Sequence, residues 1–389
     1  MGRILVICAQ SPYPVVDGAR LRTYNTAKIL QQEHDIHLLI VNQEPDDDLE
    51  TLATEFTGVT SFSHESLGHE FTKYGRAGAA FARGNPIRPA YYHFSDVQKW
   101  VNEHVGEYDL CYANYVNTVP YVQEDRFVVD FVDSMSHNRA QLAEIHSPPR
   151  SWLSTVESRR LNSYERTVAQ AAEHSFVTTV HDMTAMGIRN DVTVVPNGVR
   201  ETYLERPNTV NTDPGRIVFL GRMDYYPNVD AVRYFADEVF PQVRAEVDTA
   251  SFVVVGSNPS EEVRTLDTRE GITVTGFVDE PAEHLELATA VVAPMRYGTG
   301  IQNKVLEAMA LGKPVVTTSL GAAGISAENG THLLVADDAT AMSERTIAVL
   351  TDPQLAASVG GAARERISDQ HTWDAVAPQL LDGISEAMD

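Results

Sequence analysis

The chain has 389 residues, ordinary apolar content and a formal net charge of −24. That length suits two domains with sizeable cores. No apolar run approaches the ~20 residues of a membrane-spanning helix, no opening stretch reads as a signal peptide, and the charge argues against nucleic acid as a partner. Of the 30 cationic residues only Lys28, Lys73, Lys99, Lys304 and Lys313 are lysines. An acid-rich, lysine-poor surface stays hydrated where salt screens self-repulsion, which predicts a cytosol of high ionic strength, as in a halophile.

Apolar β-rich runs alternate with helical patterns along the whole chain. The first half offers strands at Ile4–Cys8, Ile36–Val41, Leu110–Ala113, Phe127–Phe131 and Ser175–Thr179. Cys8 and Cys111 sit in such runs and read as core thiols in a reducing compartment. The acidic run Glu44–Glu50 reads as a solvated loop or helix start. The second half offers Ile217–Leu220, Ser251–Val255, Ile272–Thr275, Ala290–Ala293 and Val315–Thr318. Short buried strands separated by longer helices mean parallel sheets with crossover helices, and two such series mean two doubly wound α/β domains. The expected boundaries are a first domain over 1–196, a polar linker over 197–214, a second domain over 215–370 and a helix over 371–389 packing back on the domains.

The chemistry concentrates in PMRYGTGIQNKVLEAMALGKPVVT, residues 294–317. A glycine-bearing loop behind a strand, opening a helix over Ile301–Leu311, offers unpartnered amides and a positive dipole end to an anion. Lys304 adds a charge in the first turn, and Glu307 follows at i+3 on roughly the same face. Phosphate contacts followed by one carboxylate suit a sugar nucleotide, with the carboxylate on ribose hydroxyls. An ordinary βαβ unit with a solvated lysine and glutamate fits the spacing equally well.

The blocks FLGRMDYYPNVDAVRYF, VVVGSNP, VTGFVDEPAEHL and GTGIQNKVLEAMALGKPVVTT, with VVPNGV and SPYPVVDGARLRTYNTAKIL before them, resemble the family-4 (GT4) retaining glycosyltransferases of the GT-B fold. The resemblance covers nearly the whole chain and is looser from about Glu44 to Phe127. It implies two Rossmann-like domains facing across a cleft, with the donor nucleotide sugar on the second and the acceptor on the first. It places Gly18, Gly221, Arg222, Gly298, Thr299, Gly300, Ile301, Lys304 and Glu307 at the donor. Arg222, Lys304 and Asp133 become the catalytic candidates, Asp133 being preferred over His137, while His181 and Asp182 end another strand. Two positions depart from the family. Asn228 stands where many members carry a lysine, with Lys304 as its replacement from the opposite loop. Thr299 stands where the first of two glutamates is expected.

The resemblance implies transfer of the sugar with retention, in cell-surface glycan, polysaccharide or glycoprotein biosynthesis. The nucleotide-diphosphate sugar is a co-substrate, no cofactor is implied, and no metal-ligand spacing stands out. A non-catalytic sugar-nucleotide binder and a sugar-nucleotide 2-epimerase are the alternatives. From Phe71 to Ser95 there is no acidic residue. Lys73, Arg76, Arg83 and Arg88 stand there among aromatics, and Arg150–Arg166 is a weaker basic stretch. The expectation is a basic, aromatic face for a glycan or polyprenyl-phosphate-linked acceptor and for an anionic membrane, with a cytoplasmic protein peripheral to its inner surface.

Overall fold

A computed structural model describes the whole chain except residues 64–66, 123–124 and 208–211, and the backbone alone over 67–71. The chain divides into unit 1, Met1–Pro196 with Val376–Asp389, and unit 2, Asn197–Ala375.

Unit 1 is built on a parallel sheet of, among the described residues, seven strands. They are β1 (Arg3–Cys8), β2 (Asp35–Ile40), β3 (Gly58–Ser61), β4 (Leu110–Asn114), β5 (Phe127–Val132), β6 (His174–Val177) and β7 (Val192–Val194), in the order β3-β2-β1-β4-β5-β6-β7. β1 is buried from Ile4 to Cys8. That double-faced burial explains why these strands read as unbroken apolar runs and not as alternating ones. Unit 2 repeats the plan with β8 (Arg216–Leu220), β9 (Ser251–Val255), β10 (Ile272–Gly276), β11 (Ala290–Ala293), β12 (Val315–Thr317) and β13 (Leu334–Val335). Its order is β10-β9-β8-β11-β12-β13, again parallel. Each sheet therefore reverses direction once, between β1 and β4 and between β8 and β11. The loops leaving the carboxyl ends of those strands flank the natural ligand crevice of an open α/β sheet.

Three strands escape the sequence reading, each with a reason. β3 is a half-buried edge strand, β7 is a three-residue edge strand just before the expected linker, and β13 has two residues. The expected linker 197–214 holds a helix over Glu201–Glu205, and its residues 208–211 lie outside the described residues. The acidic run is not merely solvated. Asp47 and Glu44 pair with Arg20 at 2.7 and 3.0 Å, fastening the loop after β2 to the helix that follows β1, and Asp48 caps a helix over Leu49–Glu55, so the run is also the expected helix start. Cys8 and Cys111 are buried free thiols, both pushed up to about 12 by burial.

The last helix, Trp373–Met388, starts in unit 2 and ends in unit 1. Its start lies beside the other crossing: Val199 N–H donates to the His371 carbonyl at 2.7 Å, and Val199 bridges Thr372 in parallel fashion. Within unit 1 the helix is close-packed on β6, since a Cβ added at Gly383 would meet Phe176 at 2.6 Å.

Candidate active site

In unit 2 the loops after β8 and β11 converge on one cation. Gly221 and Arg222 leave β8, and helix Tyr226–Tyr234 follows. Asn228 in its first turn donates to the Arg222 carbonyl at 2.9 Å. A Cβ at Gly221 would meet Asn228 Nδ2 at 2.6 Å, so glycine is what allows this packing. From the other side comes helix Asn303–Ala310. It begins later than Ile301 because Gly300 adopts φ +68° and Gln302 caps the first turn, its carbonyl accepting Val305 N–H at 2.9 Å. Gly298, at φ +138°, takes a backbone conformation that only glycine holds without strain. Thr299 lies between these two glycines. Ile301 is buried, which leaves only its backbone for a ligand.

Lys304 reaches across to the β8 loop. Its Nζ donates to Asn228 Oδ1 at 2.7 Å and to Gln302 Oε1 at 3.3 Å, and lies 5.1 Å from the Phe219 ring centroid. The ammonium is thus delivered to the side chain that stands where the resembled family has a lysine. Burial lowers its pKa to about 8, with Glu307 opposing the shift. Glu307, one turn on, is raised to about 7 by burial, against the pull of Arg200 and Lys304. Arg222 is more than half exposed and holds Asp224 through Nε at 3.2 Å and Nη2 at 2.9 Å. Its planar fork is therefore oriented at the carboxyl end of β8, and phosphate oxygens can compete for it.

Several contributors were not singled out in the sequence. Arg200 faces Glu307 electrostatically, and Asn197 donates to Asn303 Oδ1 at 2.9 Å, which fastens the helix start to the segment after β7. Arg296 ties the β11 loop to Asp230 at 3.0 and 2.7 Å. Phe277, 74 % exposed, follows β10 at the same edge of the sheet. VVPNGV, VTGFVDEPAEHL and MRYG carried Asn197, Phe277 and Arg296, and Arg200 directly follows the first, but no spacing rule marks partners that meet only through the fold.

In unit 1, Gly18 opens helix Gly18–Leu30, capped by Asp17, whose Oδ1 accepts Arg20 N–H at 2.9 Å. Beneath it Arg22 forks onto buried Asp130 at 2.8 and 3.0 Å, and Tyr112 Oη donates to the same carboxylate at 2.9 Å. Asp130 also accepts Val132 N–H at 3.0 Å, which holds Val132 at φ +61°, a costly conformation for a β-branched residue. Asp133 is placed by that strained turn. His137 is close by in sequence, its ring edge-on to His181 at 5.2 Å. Asp182 is buried and structural, accepting Ser134 N–H at 3.1 Å and the Thr179 hydroxyl at 2.5 Å.

The single exposed basic face expected over 71–95 does not form. Lys73 is buried against Tyr91 and Phe94. Arg76 donates to the carbonyls of Ala90 and Tyr91 at 3.2 and 3.3 Å. Both turn inward, where an aromatic face stabilises a cation. Arg83 is exposed, and Arg88 lines a cavity. The side chain of Phe71 lies outside the described residues. Among the described residues no helix is long and apolar enough to cross a membrane.

Residues 214–352 match the family model described as Glycosyl transferases group 1. The match lies wholly within unit 2. Over 157 residues the chain is 32 % identical to a GDP-mannose-dependent alpha-(1-6)-phosphatidylinositol monomannoside mannosyltransferase of Mycobacterium tuberculosis, covering 36 % of this chain and 41 % of that protein. Over 208 residues it is 28 % identical to a phosphatidyl-myo-inositol mannosyltransferase of Mycobacterium leprae, covering 51 % and 54 %. The chain spans about half the length of the curated relatives it matches. Among solved structures it resembles sucrose-phosphate synthase from Thermosynechococcus elongatus, with TM-score 0.71, 15 % identity and 98 % of each chain covered. It also resembles Anabaena Alr3699/HepE in complex with UDP-glucose, with TM-score 0.68, 16 % identity and 99 % and 100 % covered. These likenesses make the two parallel α/β units those of the GT-B fold.

Proposed function

We propose that the protein is a retaining glycosyltransferase that moves a sugar from a nucleotide-diphosphate sugar to a glycan or polyprenyl-phosphate-linked acceptor, without a metal or cofactor. The observation that carries this reading is the Lys304 ammonium held at Asn228, between the two loops at the reversal point of unit 2. In this reading the donor diphosphate displaces Asp224 from Arg222 and lies against Lys304 and the amides opening the 303–310 helix. Glu307 takes ribose hydroxyls, and Phe277 offers the base an apolar face. As the anomeric bond breaks, negative charge grows on the leaving phosphate, and fixed cations stabilise it. The leaving phosphate helps to deprotonate the acceptor hydroxyl on the same face of the sugar, so no enzymic nucleophile is required. Gly18 and Asp133 of unit 1 serve the transferred sugar and the acceptor.

Tyr74 and Trp152, both exposed, support peripheral placement at an anionic membrane, with exposed Arg83 nine residues beyond Tyr74. The net charge of −24 supports an origin in a salt-rich cytosol.

The test is thermal unfolding with UDP-, GDP- and dTDP-sugars, on the wild type and Glu307→Ala, followed by nucleotide release. A selective rise in Tm, reduced in the variant and accompanied by slow donor hydrolysis, is expected. Binding without any release or transfer would leave a non-catalytic binder. No binding at all would sink the reading.

A further inference from the structure

Unit 1 contains a cavity of about 340 Å³, within the range of small-molecule sites. Its walls are the short helix Ile87–Tyr91, helix Met135–Ile145 and the first turns of helix Arg150–Ala171. Arg88, Arg139, Glu157, Tyr91, Tyr92 and Leu153 line it.

Among the described residues neither Arg88 nor Arg139 is in an ion pair, although the protein has 54 acidic residues. The Arg88 guanidinium lies 6.0 Å from the Tyr92 ring centroid, and its buried Nε has no hydrogen-bond partner. Burial, reinforced by the Arg88 charge and opposed by that of Glu157, holds the Arg139 guanidinium below its ordinary pKa. Glu157 is 5 % exposed. Its Oε1 accepts Ile87 N–H at 2.7 Å and Arg88 N–H at 3.4 Å, while its Oε2 is buried and unpartnered. Two half-buried cations outside any ion pair and one carboxylate oxygen without a hydrogen bond carry a burial cost that the Glu157 charge offsets only in part.

A sugar ring bearing an acidic group would satisfy all of them. Guanidinium forks match an oxyanion, a carboxylate oxygen accepts a ring hydroxyl, and tyrosine faces cover the apolar side of a sugar. We propose that this cavity binds the acidic group, phosphate or carboxylate, of the acceptor sugar. The proposal rests on the transferase reading above. Arg139 lies in the second turn of the helix that begins just after Asp133, on the order of 8 Å along it.

The test is calorimetric titration of the full chain with D-glucose 6-phosphate, D-glucuronate, D-glucose and inorganic phosphate, on the wild type, Arg139→Gln and Arg88→Gln. At least one acidic sugar should bind about tenfold tighter than glucose or phosphate, and about tenfold weaker in each variant, as loss of a charged hydrogen bond implies. The acid that binds separates a phosphorylated acceptor from a uronic one. Equal binding in the variants, or no binding of either acidic sugar, overturns the proposal. Donor titration on the same samples separates the two readings, because both variants should bind nucleotide sugar as the wild type does. A wild type that takes no nucleotide sugar yet holds the acidic sugar through Arg139 overturns the transferase reading and leaves the cavity's ligand class standing.

Discussion

Lys304 and Glu307 share one half-buried face of a short helix, and burial works against the charge on each. Glu307 has a folded pKa of about 7 against an ordinary value of 4.5. Through that window the folded state keeps a proton the unfolded chain has released, so the group lowers stability as pH rises. Glu307→Gln should therefore unfold at a higher temperature than the wild type at pH 8 and at the same temperature at pH 4, measured without donor. If instead the stabilisation appears only at low pH, the carboxyl is not desolvated. For Lys304 the informative change is an exchange. Lys304→Gln should lose donor affinity, and adding Asn228→Lys should restore most of it, because the 2.7 Å contact brings the two side chains to one place. No recovery in the double variant, seen by donor titration, would separate the two sites. Arg222→Ala should cost about 3 kcal/mol of transition-state stabilisation, roughly a hundredfold in turnover. Unchanged turnover would make the arginine a partner of Asp224 alone. Lys304, Glu307 and Arg222 were visible in sequence because their motifs are contiguous. Arg200 and Arg296 were not, since each acts on a residue more than sixty positions away.

At the level of elements, helix Pro353–Gln370 supports the candidate site from behind. A Cβ at Gly360 would lie 2.1 Å from the Gly312 carbonyl oxygen, in the turn that ends the 303–310 helix, whereas one at Gly361 meets nothing within 4 Å. Gly360→Ala should lower Tm and weaken donor binding together. Gly361→Ala should be neutral or raise stability by up to ~1 kcal/mol through helix propensity. Equal effects in the two variants, read by thermal unfolding, would mean that the contact does not govern packing. Most buried strands were legible because burial on both faces leaves unbroken β-branched runs. β3, β7 and β13 were not, being short or at an edge. The basic segment over 71–95 misled for a different reason. Cations interleaved with aromatics look the same whether they face solvent or, as Lys73 and Arg76 do, fold inward.

For the molecule as a whole, the dominant quantity is charge. Net −24 predicts that added KCl stabilises the fold until self-repulsion is screened. Tm should climb between low salt and about 1 M KCl, where the screening length falls to ~3 Å. A flat profile would remove the argument for a saline cytosol. Domain count and fold class were legible from the two series of strands. A last helix packing back on the domains was expected, but which core it covers was not, because an amphipathic pattern does not say so. That helix has a consequence for biosynthesis. Residues 376–389 belong to unit 1, yet they follow all of unit 2 in the chain. On a ribosome adding ~5–20 residues per second, the surface around Phe176 waits on the order of 10–40 s for its cover. The half of the protein that is translated first thus waits on a segment that follows the second, and over that interval its uncovered face is open to chaperones and to aggregation.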